Sequence, residues 1–173
     1  MRVLLAAALG AAVVLVVVGA AAAELRAPVR VTLDGVAGVR PGMSAAAVSA
    51  RWGIDLRPDY EVRPDCGETD FRRPPIEGSA VFTPRGRFGA AFFRRGAVTG
   101  RGIRVGSTVA QVRRAYRSLT SRPNRFVAGG RDYFVRRKAA PHSELRIDVG
   151  ANGRVTQIAF GTHAAVRLDE GCA

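Results

Sequence analysis

Few residues in this chain combine a type and a spacing that fit catalysis. The chain has two histidines, His142 and His163, and Ser143 directly follows the first of them. A nucleophile needs a base within hydrogen-bonding reach, and the base needs an orienting partner. His142 and Ser143 cannot form such a pair, because neighbouring residues of a strand point to opposite faces. The Gly-x-Ser-x-Gly motif of a nucleophile elbow is also missing. The sequence therefore predicts a protein that is not an enzyme.

The remaining hydroxyl and metal-binding side chains suggest no other reactive site. Ser44, Ser107 and Thr108 are the other obvious hydroxyls, and the first and last of these fit helix caps better than nucleophiles. The candidate metal ligands lack the short spacing of a motif such as His-Glu-x-x-His. These ligands are His142, His163, Asp148, Asp169 and Glu170. We therefore predict no metal site and no cofactor.

The two cysteines, Cys66 and Cys172, are predicted to form a disulfide. An even pair in an exported chain fits one bridge, because thiols outside the cytoplasm tend to be oxidised. Closing a loop of this length stabilises a fold by roughly 4 to 5 kcal/mol on the chain-entropy model. The alternative is two unpaired, buried cysteines.

The N-terminus has the pattern of a secretory signal. Arg2 precedes an apolar run from Val3 to Val18, and Ala21 to Ala23 supply small residues before a cleavage site. We predict that residues 1–23 are a signal peptide and that the protein is secreted. The alternative is an uncleaved anchor, residues 3–23, on the outer face of the plasma membrane. A lipid anchor is not expected, because no cysteine lies near the cleavage site.

Charge is the second constraint on function. The formal net charge is +13, and Lys138 is the only lysine among 27 basic residues. A positive field of this size attracts polyanions, including anionic lipid and wall polymers. The arginines occur in short pairs along the chain, without the spacing of a zinc finger or the motif of an RNA-recognition domain. We therefore predict no specific nucleic-acid partner.

A motif that occurs twice indicates an internal duplication. Gly38-Val39-Arg40-Pro41-Gly42-Met43-Ser44 and Gly102-Ile103-Arg104-Val105-Gly106-Ser107-Thr108 share their spacing, and each continues to a valine and then an aromatic residue. The valines are Val48 and Val112, and the aromatic residues are Trp52 and Tyr116. We therefore divide the mature chain into repeat 1, residues 24–99, and repeat 2, residues 100–173.

Each repeat is predicted to begin with a helix. Ser44 and Thr108 are good N-caps, and Gln111 completes a capping box with Thr108. Gly53 is placed to end the first helix in a left-handed cap, and Pro123 lies beyond the second. Residues at three- and four-residue spacing form the apolar helix faces. These are Val48 and Trp52 in the first helix, and Val112, Tyr116 and Leu119 in the second.

Strand signals follow each helix. In repeat 1 they are Ala80–Thr83, Phe88–Phe93 and Ala97–Thr99; in repeat 2 they are Asp132–Arg136, Leu145–Val149 and Val155–Phe160. Leu145–Val149 alternates apolar and charged residues, which predicts a strand wet on one face. Ile54–Gly78 is predicted to be a long loop, and Ala27–Leu33 an additional edge strand. The predicted fold class is α+β, with each helix followed by an antiparallel β-meander and the helices packed on one sheet face.

The doubled motif followed by a meander resembles the tandem repeat of the beta-lactamase inhibitory protein family and its secreted actinobacterial relatives. A single unit is similar to the small lipoprotein of the outer-membrane β-barrel assembly machine. The resemblance covers roughly residues 33–173, including the ending Glu170-Gly171-Cys172, and it implies a fold of helices on an antiparallel sheet. The chain has only one cysteine per repeat and only 7% aromatic residues, fewer of each than the inhibitor. No inhibitory contact residue can therefore be transferred.

These observations predict a secreted or envelope binding module without catalytic activity. The expected partner is a protein, bound through the sheet face or the junction of the repeats. Arg94, Arg95, Arg136 and Arg137 lie beside predicted strands and are candidates for a basic rim, unless they are ordinary solvated surface. One alternative function is electrostatic binding of anionic wall or membrane polymers. Another is an envelope hydrolase that uses His142 or His163.

Overall fold

The computed structural model describes residues 26–61, 64–137, 140–168 and 172, without the side chains of residues 137, 140 and 141. The predicted signal peptide, residues 1–23, lies outside these ranges, so its cleavage stays a prediction. In the described part of the chain, no helix is both long and apolar enough to cross a membrane.

The described residues form mostly strands, with two short helices. The helices are α1 (Ala45–Trp52) and α2 (Val109–Ala115). The strands are β1 (Val29–Thr32), β2 (Gly35–Val36), β3 (Gly67–Arg73), β4 (Ile76–Phe82), β5 (Phe88–Arg95), β6 (Ala97–Thr99), β7 (Thr120–Pro123), β8 (Arg131–Arg137), β9 (Ala140–Val149) and β10 (Val155–Thr162). A 3₁₀ turn covers Ala165–Arg167.

Most strands belong to one antiparallel sheet of seven strands, in the order β3-β4-β5-β10-β9-β8-β7. Its central pair is β5 with β10, where Ile158 faces Phe93 and Phe160 faces Ala91. A second, three-stranded sheet has the order β2-β1-β6. Short helices packed on a mainly antiparallel sheet fit the predicted α+β class.

The prediction of a loop over Ile54–Gly78 is wrong in its second half. Strand β3 lies within this range, and β4 begins inside it at Ile76. The strand pattern was hidden because β3 is an outer strand with charged residues on both sides of its buried Phe71. Pro74 and Pro75 form the turn between β3 and β4.

The N-terminal strand also differs from its prediction. Val29 and Val31 alternate with exposed or half-buried residues, as expected of a strand. However, β1 is the middle strand of the small sheet, paired antiparallel with β2 and parallel with β6. β6 therefore leaves the meander that was predicted for it, because its partner is β1 and not a strand of the large sheet.

Helix α1 forms as predicted. The hydroxyl of Ser44 accepts a hydrogen bond from the backbone N–H of Ala47 at 3.2 Å, and Gly53 ends the helix at φ 64°. Val48 and Trp52 are fully buried. The Trp52 ring meets the ring of Phe71 edge-on, with centroids 5.5 Å apart, so α1 packs against the large sheet.

Helix α2 forms with the predicted capping box. Thr108 accepts from the backbone N–H of Gln111 at 3.3 Å, and the Gln111 side chain accepts from the N–H of Thr108 at 2.7 Å. The helix is shorter than predicted, because Tyr116 already has an extended backbone at φ −127°. Leu119 therefore packs against the core from a position after the helix.

Both copies of the doubled motif make the same backbone hydrogen bonds to the hairpin that follows them. In the first copy the N–H of Gly42 donates to Phe88 at 2.8 Å, and the N–H of Phe88 donates to Met43 at 2.7 Å. In the second copy the N–H of Gly106 donates to the backbone oxygen of Val155, and the N–H of Val155 donates to that of Ser107, at 2.8 Å each. Gly42 and Gly106 have φ values of 90° and 89°, which glycine adopts without strain.

The chain returns at its C-terminus to cover the sheet face that lies away from the helices. We call residues 163–168 together with Cys172 the C-terminal segment. Ala165 and Val166 form a small second core there with residues of β5 and β10, including Phe92 and Ala159. The predicted disulfide is confirmed: Cys66 and Cys172 are bonded, with Cα atoms 5.4 Å apart.

Candidate functional site

The four arginines proposed as a basic rim do not come together. Arg94 on β5 and Arg136 on β8 are separated by two strands, β10 and β9. They also lie at opposite ends of the sheet, because Phe93 faces Ile158 whereas Arg136 is aligned through Glu144 with Gly161. At standard strand spacings the two positions are about 14 Å apart across the sheet and about 13 Å along it.

Two of these arginines already have carboxylate partners. Arg94 contacts Asp70 at 2.9 Å, and Arg136 contacts Glu144 at 2.8 Å. Arg95 is exposed and faces Glu77 across the β4–β5 pair. Arg137 ends β8, and its side chain lies outside the described part of the chain. Arg94, Arg95 and Arg136 therefore do not form one continuous surface.

A buried ionic cluster lies beneath the C-terminal segment. Alternate residues of β8 and β9 point to that face, as the strand period of two requires. The cluster consists of Asp132, Arg136, Glu144, Arg146 and Asp148, with Arg122, His163 and Arg167 around them. The prediction that β9 is wet on one face is wrong, because Arg146 is only 3% exposed and Asp148 only 6%. The charged residues of that face satisfy one another under the C-terminal segment.

Glu144 is the first centre of this cluster. It is fully buried and accepts two parallel hydrogen bonds from the Arg167 guanidinium, at 2.9 and 3.0 Å. Arg136 donates to it through Nε at 2.8 Å, and also lies 2.7 Å from Nε2 of His163. Because arginine only donates, Nε2 of His163 is the acceptor and its Nδ1–H donates to Glu144, at 3.0 Å.

Arg146 is the second centre. Its guanidinium contacts Asp148 at 2.6 Å and Asp132 at 3.4 Å, and it donates to the backbone oxygens of Val166 and Leu168. Burial raises the pKa of Asp148 from 3.8 to about 6, against the opposing effect of Arg146. Arg146 therefore joins two carboxylates of the sheet to the backbone of the C-terminal segment.

A basic cleft lies on the other side of β8 and β9, between the two sheets and the end of α2. Its volume is about 420 Å³. Thr32–Asp34 form one wall, Gly100 and Arg101 a second, and residues 114–118 a third. Val135 and Leu145, which face each other on β8 and β9, are among its apolar lining residues. The cleft is thus built by segments that are far apart in the sequence.

Four arginines line this cleft: Arg101, Arg114, Arg117 and Arg136. Two of them are held in place from behind. Arg101 donates to the backbone oxygen of Ala115 at 3.0 Å and lies over the Tyr116 ring. Arg136 is fixed by the ionic cluster as described. The planar guanidinium of Arg101, fixed in this way, is well suited to carboxylate or phosphate oxygens, whereas that of Arg136 already binds Glu144.

The other two arginines are exposed at the mouth of the cleft. Within the described part of the chain, the side chains of Arg114 and Arg117 make no hydrogen bond or ion pair. Asp34 is the one acidic residue among the described residues that line the cleft. Because Glu144 already pairs with Arg136, three positive charges and one negative charge remain around a concave surface, and this excess attracts anions. Burial raises the pKa of the Tyr116 phenol, so this hydroxyl stays protonated at neutral pH.

Sequence reasoning missed a charge segregation that points to this cleft. Residues 78–131 contain twelve arginines and no aspartate or glutamate. The arginines outside this segment are nearly balanced by acidic residues. Three of the four cleft arginines come from the segment, and their pairing with sequence neighbours is impossible because no carboxylate is near. A count of charge by segment, in place of a search for dense basic runs, would have found it.

The predicted catalytic candidates have structural roles or lie apart. Ser44 and Thr108 are helix caps, and the Ser107 hydroxyl accepts from the backbone N–H of Arg104 at 3.1 Å. His163 belongs to the ionic cluster, whereas His142 is exposed on β9. Among the described residues, no three His, Cys, Asp or Glu side chains are grouped so as to hold a metal ion.

No protein-family model and no curated protein matches the chain. Crystal structures that resemble it include the following two. One is a cysteine-rich secretory protein from Staphylococcus aureus, with 13% identity, a TM-score of 0.45, and coverage of 71% of this chain and 43% of the other. The second is a DUF4309 family protein from Bacillus subtilis, with 13% identity, a TM-score of 0.48, and coverage of 69% and 78%. At these scores neither likeness indicates a family or a function, and the resemblance to the beta-lactamase inhibitory protein family stays a prediction.

Proposed function

We propose that this protein is an extracytoplasmic binding module without catalytic activity, and that it binds an acidic segment of a protein partner in the basic cleft. One observation carries the proposal: besides Arg136, which Glu144 already binds, three arginines line a concave site with one carboxylate, and two of them, Arg114 and Arg117, have no partner among the described residues. An external anion would supply the missing acceptors.

The lining of the cleft favours a peptide over a simple polyanion. Half-buried Leu33 supplies apolar surface next to the arginines, together with the small exposed parts of Val135 and Leu145. Sites for specific ligands combine apolar walls with a few fixed polar groups, and their volumes begin near 300 Å³. A segment that carries both an apolar and an acidic side chain matches this arrangement, whereas a bare polyphosphate would leave the apolar surface uncovered.

The duplicated architecture supports placing the site at a junction. We propose that α1 with β3–β5 and α2 with β8–β10 are two copies of one helix-plus-meander unit. The repeated hydrogen bonds of Gly42 and Gly106 support this, as does the pairing of β5 with β10 at the centre of the sheet. The cleft then lies between residues 32–34 of repeat 1 and the helix end of repeat 2.

The C-terminal segment argues against the flat sheet face as the binding surface. That face is covered over β5 and β10 by residues 165–168 and tied down by the disulfide. The same disulfide supports a location outside the cytoplasm, since such bonds persist in oxidising compartments. The proposed location is secreted, with residues 1–23 as the signal.

The second candidate function is attachment to anionic wall or membrane polymers. The specific observation behind it is the segment 78–131, whose twelve arginines face no acidic residue within the segment. Attachment of this kind depends on total charge and weakens steeply as salt rises. It differs from cleft binding because any pair of exposed arginines contributes equally.

Affinity capture with two charge-matched variants distinguishes these functions. Oxidised residues 24–173, which include every described element, are immobilised as wild type, as R114Q/R117Q and as R94Q/R95Q. Culture supernatant and envelope extract of the host are passed over each, followed by steps of increasing salt. At about 0.5 M salt the Debye length is below about 5 Å, so long-range attraction is largely screened.

Cleft binding predicts a protein that wild type and R94Q/R95Q retain above about 0.5 M salt and that R114Q/R117Q loses. Equal loss in both variants, with release at low salt, would support polymer attachment instead. A protein retained equally by all three forms would show that the cleft is not the binding site, since its binding would not depend on Arg114 or Arg117.

A further inference from the structure

The loop between β7 and β8 carries an apolar tip that the fold leaves exposed. Phe126 is 57% exposed and Val127 is 43% exposed, and they are the exposed large hydrophobic residues of the described chain. They are adjacent, on a loop at the opposite end of β8 from the basic cleft. Single exposed apolar residues are common on protein surfaces, so further observations are needed to give this pair a meaning.

The loop is held in a fixed shape from inside the protein. The side-chain oxygen of Asn124 accepts from the backbone N–H groups of Phe126 and Val127, at 2.9 and 2.8 Å. Its amide group donates to the buried carboxylate of Asp132 at 2.7 Å. The N–H of Gly130 closes the loop on the backbone oxygen of Val127 at 2.8 Å. The two apolar side chains are therefore presented with little ordering left to be done on binding.

The surroundings of this tip are positively charged. Residues 119–131 contain no acidic residue, and besides Arg122, which pairs with buried Asp132, they contain Arg125 and Arg131. Asp132, the first carboxylate that follows, is fully buried and engaged by Arg122 and Asn124. The neighbouring turn between β9 and β10 touches the loop, since a Cβ on Gly129 would lie 3.5 Å from Ala151. This turn is followed by Arg154.

We propose that this loop docks the protein on an anionic lipid bilayer, with Phe126 and Val127 in the interface and the arginines at the headgroups. Apolar side chains bordered by basic residues fit a bilayer that is apolar below and negatively charged at its surface. A protein pocket that accepted this tip would need matching carboxylates. The proposal is independent of the ligand in the basic cleft, which lies at the other end of β8 and stays open to solvent.

Vesicle binding of a tryptophan variant tests the insertion itself. The chain has one tryptophan, Trp52, which is fully buried, so a second one placed by Phe126→Trp reports on the loop. Oxidised residues 24–173 are mixed with vesicles of phosphatidylglycerol and phosphatidylcholine, or of phosphatidylcholine alone. Insertion predicts a blue shift and protection from an aqueous quencher with the anionic vesicles. Binding without either change would overturn the proposal.

Cosedimentation with the same vesicles measures the contribution of each part. Phe126→Ser with Val127→Ser should lower the partition coefficient about tenfold or more, because the buried apolar area is lost. Arg125→Gln with Arg131→Gln should lower it about 25-fold, at about fivefold for each arginine near the surface. The control is R114Q/R117Q, which carries the same charge change at the cleft. Thermal unfolding checks that each variant is folded.

The control also separates this proposal from the function of the cleft. A loss of vesicle binding in the loop variants, with R114Q/R117Q within about threefold of wild type, supports docking through the loop. Equal losses in the two double arginine variants would show that only net charge matters and would overturn it. Unchanged binding after removal of Phe126 and Val127 would also overturn it and would leave a protein partner as the occupant of the tip.

Discussion

The two sides of β8 and β9 use arginine in opposite ways. On one side, in the ionic cluster, Arg146 is 3% exposed and contacts two carboxylates and two backbone oxygens. On the other side, in the basic cleft, Arg114 and Arg117 are exposed and make no ion pair within the described chain. The same residue type is therefore paired and buried on one face of the sheet, and exposed without an ion pair in the described chain on the other.

The difference follows from the hydration that each guanidinium group loses when it is buried. A buried charge must be paired, because leaving water costs several kcal/mol per ion. An exposed charge keeps its hydration, and its pairing contributes only about 0 to 1 kcal/mol. We therefore expect the arginines of the cluster to contribute to stability and those at the mouth of the cleft to contribute little. Arg136 belongs to both sets.

The largest loss of stability is expected when the disulfide that holds the C-terminal segment on the sheet is removed. Cys66→Ser with Cys172→Ser removes a cross-link between residues separated by 106 positions. On the chain-entropy model this lowers the free energy of unfolding by about 5 kcal/mol. Denaturant unfolding of the variant and of oxidised wild type measures the loss. A change below about 1 kcal/mol would mean that the cross-link itself contributes little to stability.

A matched pair of substitutions compares the two sides directly. Arg146→Met leaves Asp132 and Asp148 buried without their shared partner, which should cost about 3 to 5 kcal/mol. Arg114→Met makes the same substitution at the exposed mouth of the cleft and should change the free energy of unfolding by no more than about 0.5 kcal/mol. Urea unfolding of both variants gives the two values. Similar losses would contradict the distinction between the cluster and the cleft.

Arg136 should show an intermediate effect, because it belongs to both regions. Arg136→Gln removes one of the donors to buried Glu144 but leaves Arg167 and His163 in place. We expect a loss of about 1.5 to 3 kcal/mol, the usual contribution of a hydrogen bond to a charged group. The same variant should bind a cleft ligand more weakly. A loss of stability with unchanged ligand affinity would assign Arg136 to the cluster alone.

The smallest effect is a pH dependence that only the cluster should have. Because the pKa of Asp148 is raised from 3.8 to about 6, the folded protein takes up this proton more readily than the unfolded chain. Protonation of Asp148 therefore adds stability as the pH falls through 6. This contribution is complete below about 3.8 and lost above about 6. Between pH 7 and pH 5, wild type should gain on the order of 1 kcal/mol relative to Asp148→Asn.

The control for the pH effect is Arg114→Met, which should follow the wild-type profile, because the cleft is remote from Asp148. Chemical unfolding at half-unit pH steps gives the three curves. Parallel profiles for wild type and Asp148→Asn would show that Asp148 titrates at the same pH in the folded and unfolded states.

The features that the sequence predicted correctly are local. The caps at Ser44 and Thr108 and the left-handed Gly53 depend on residues within one helical turn. The disulfide is the exception, because it joins residues far apart in the sequence. Its prediction followed from an even cysteine count in a chain predicted to be exported. The helix-capping signals span only a few residues, and contacts with distant segments do not override them.

The features that were missed depend on contacts between distant segments. The alternation in Leu145–Val149 identified a strand, but nothing local shows that residues 163–168 cover its charged side. Strand β6 was recognised but assigned to the wrong sheet, because its partner lies in residues 29–31. The cleft joins five separate segments, so most of its residues are far apart in the sequence. Only the excess of arginine over residues 78–131 signalled it.

The most direct test of the central claim is calorimetric titration of an acidic peptide with alternating leucine and glutamate into three forms of the protein. Wild type should bind it. R114Q/R117Q should lose at least about tenfold in affinity, which corresponds to about 1.4 kcal/mol. R94Q/R95Q, whose arginines already face Asp70 and Glu77, should remain within about twofold of wild type. Equal losses in the two variants would contradict the account, because binding would then depend on net charge and not on the cleft.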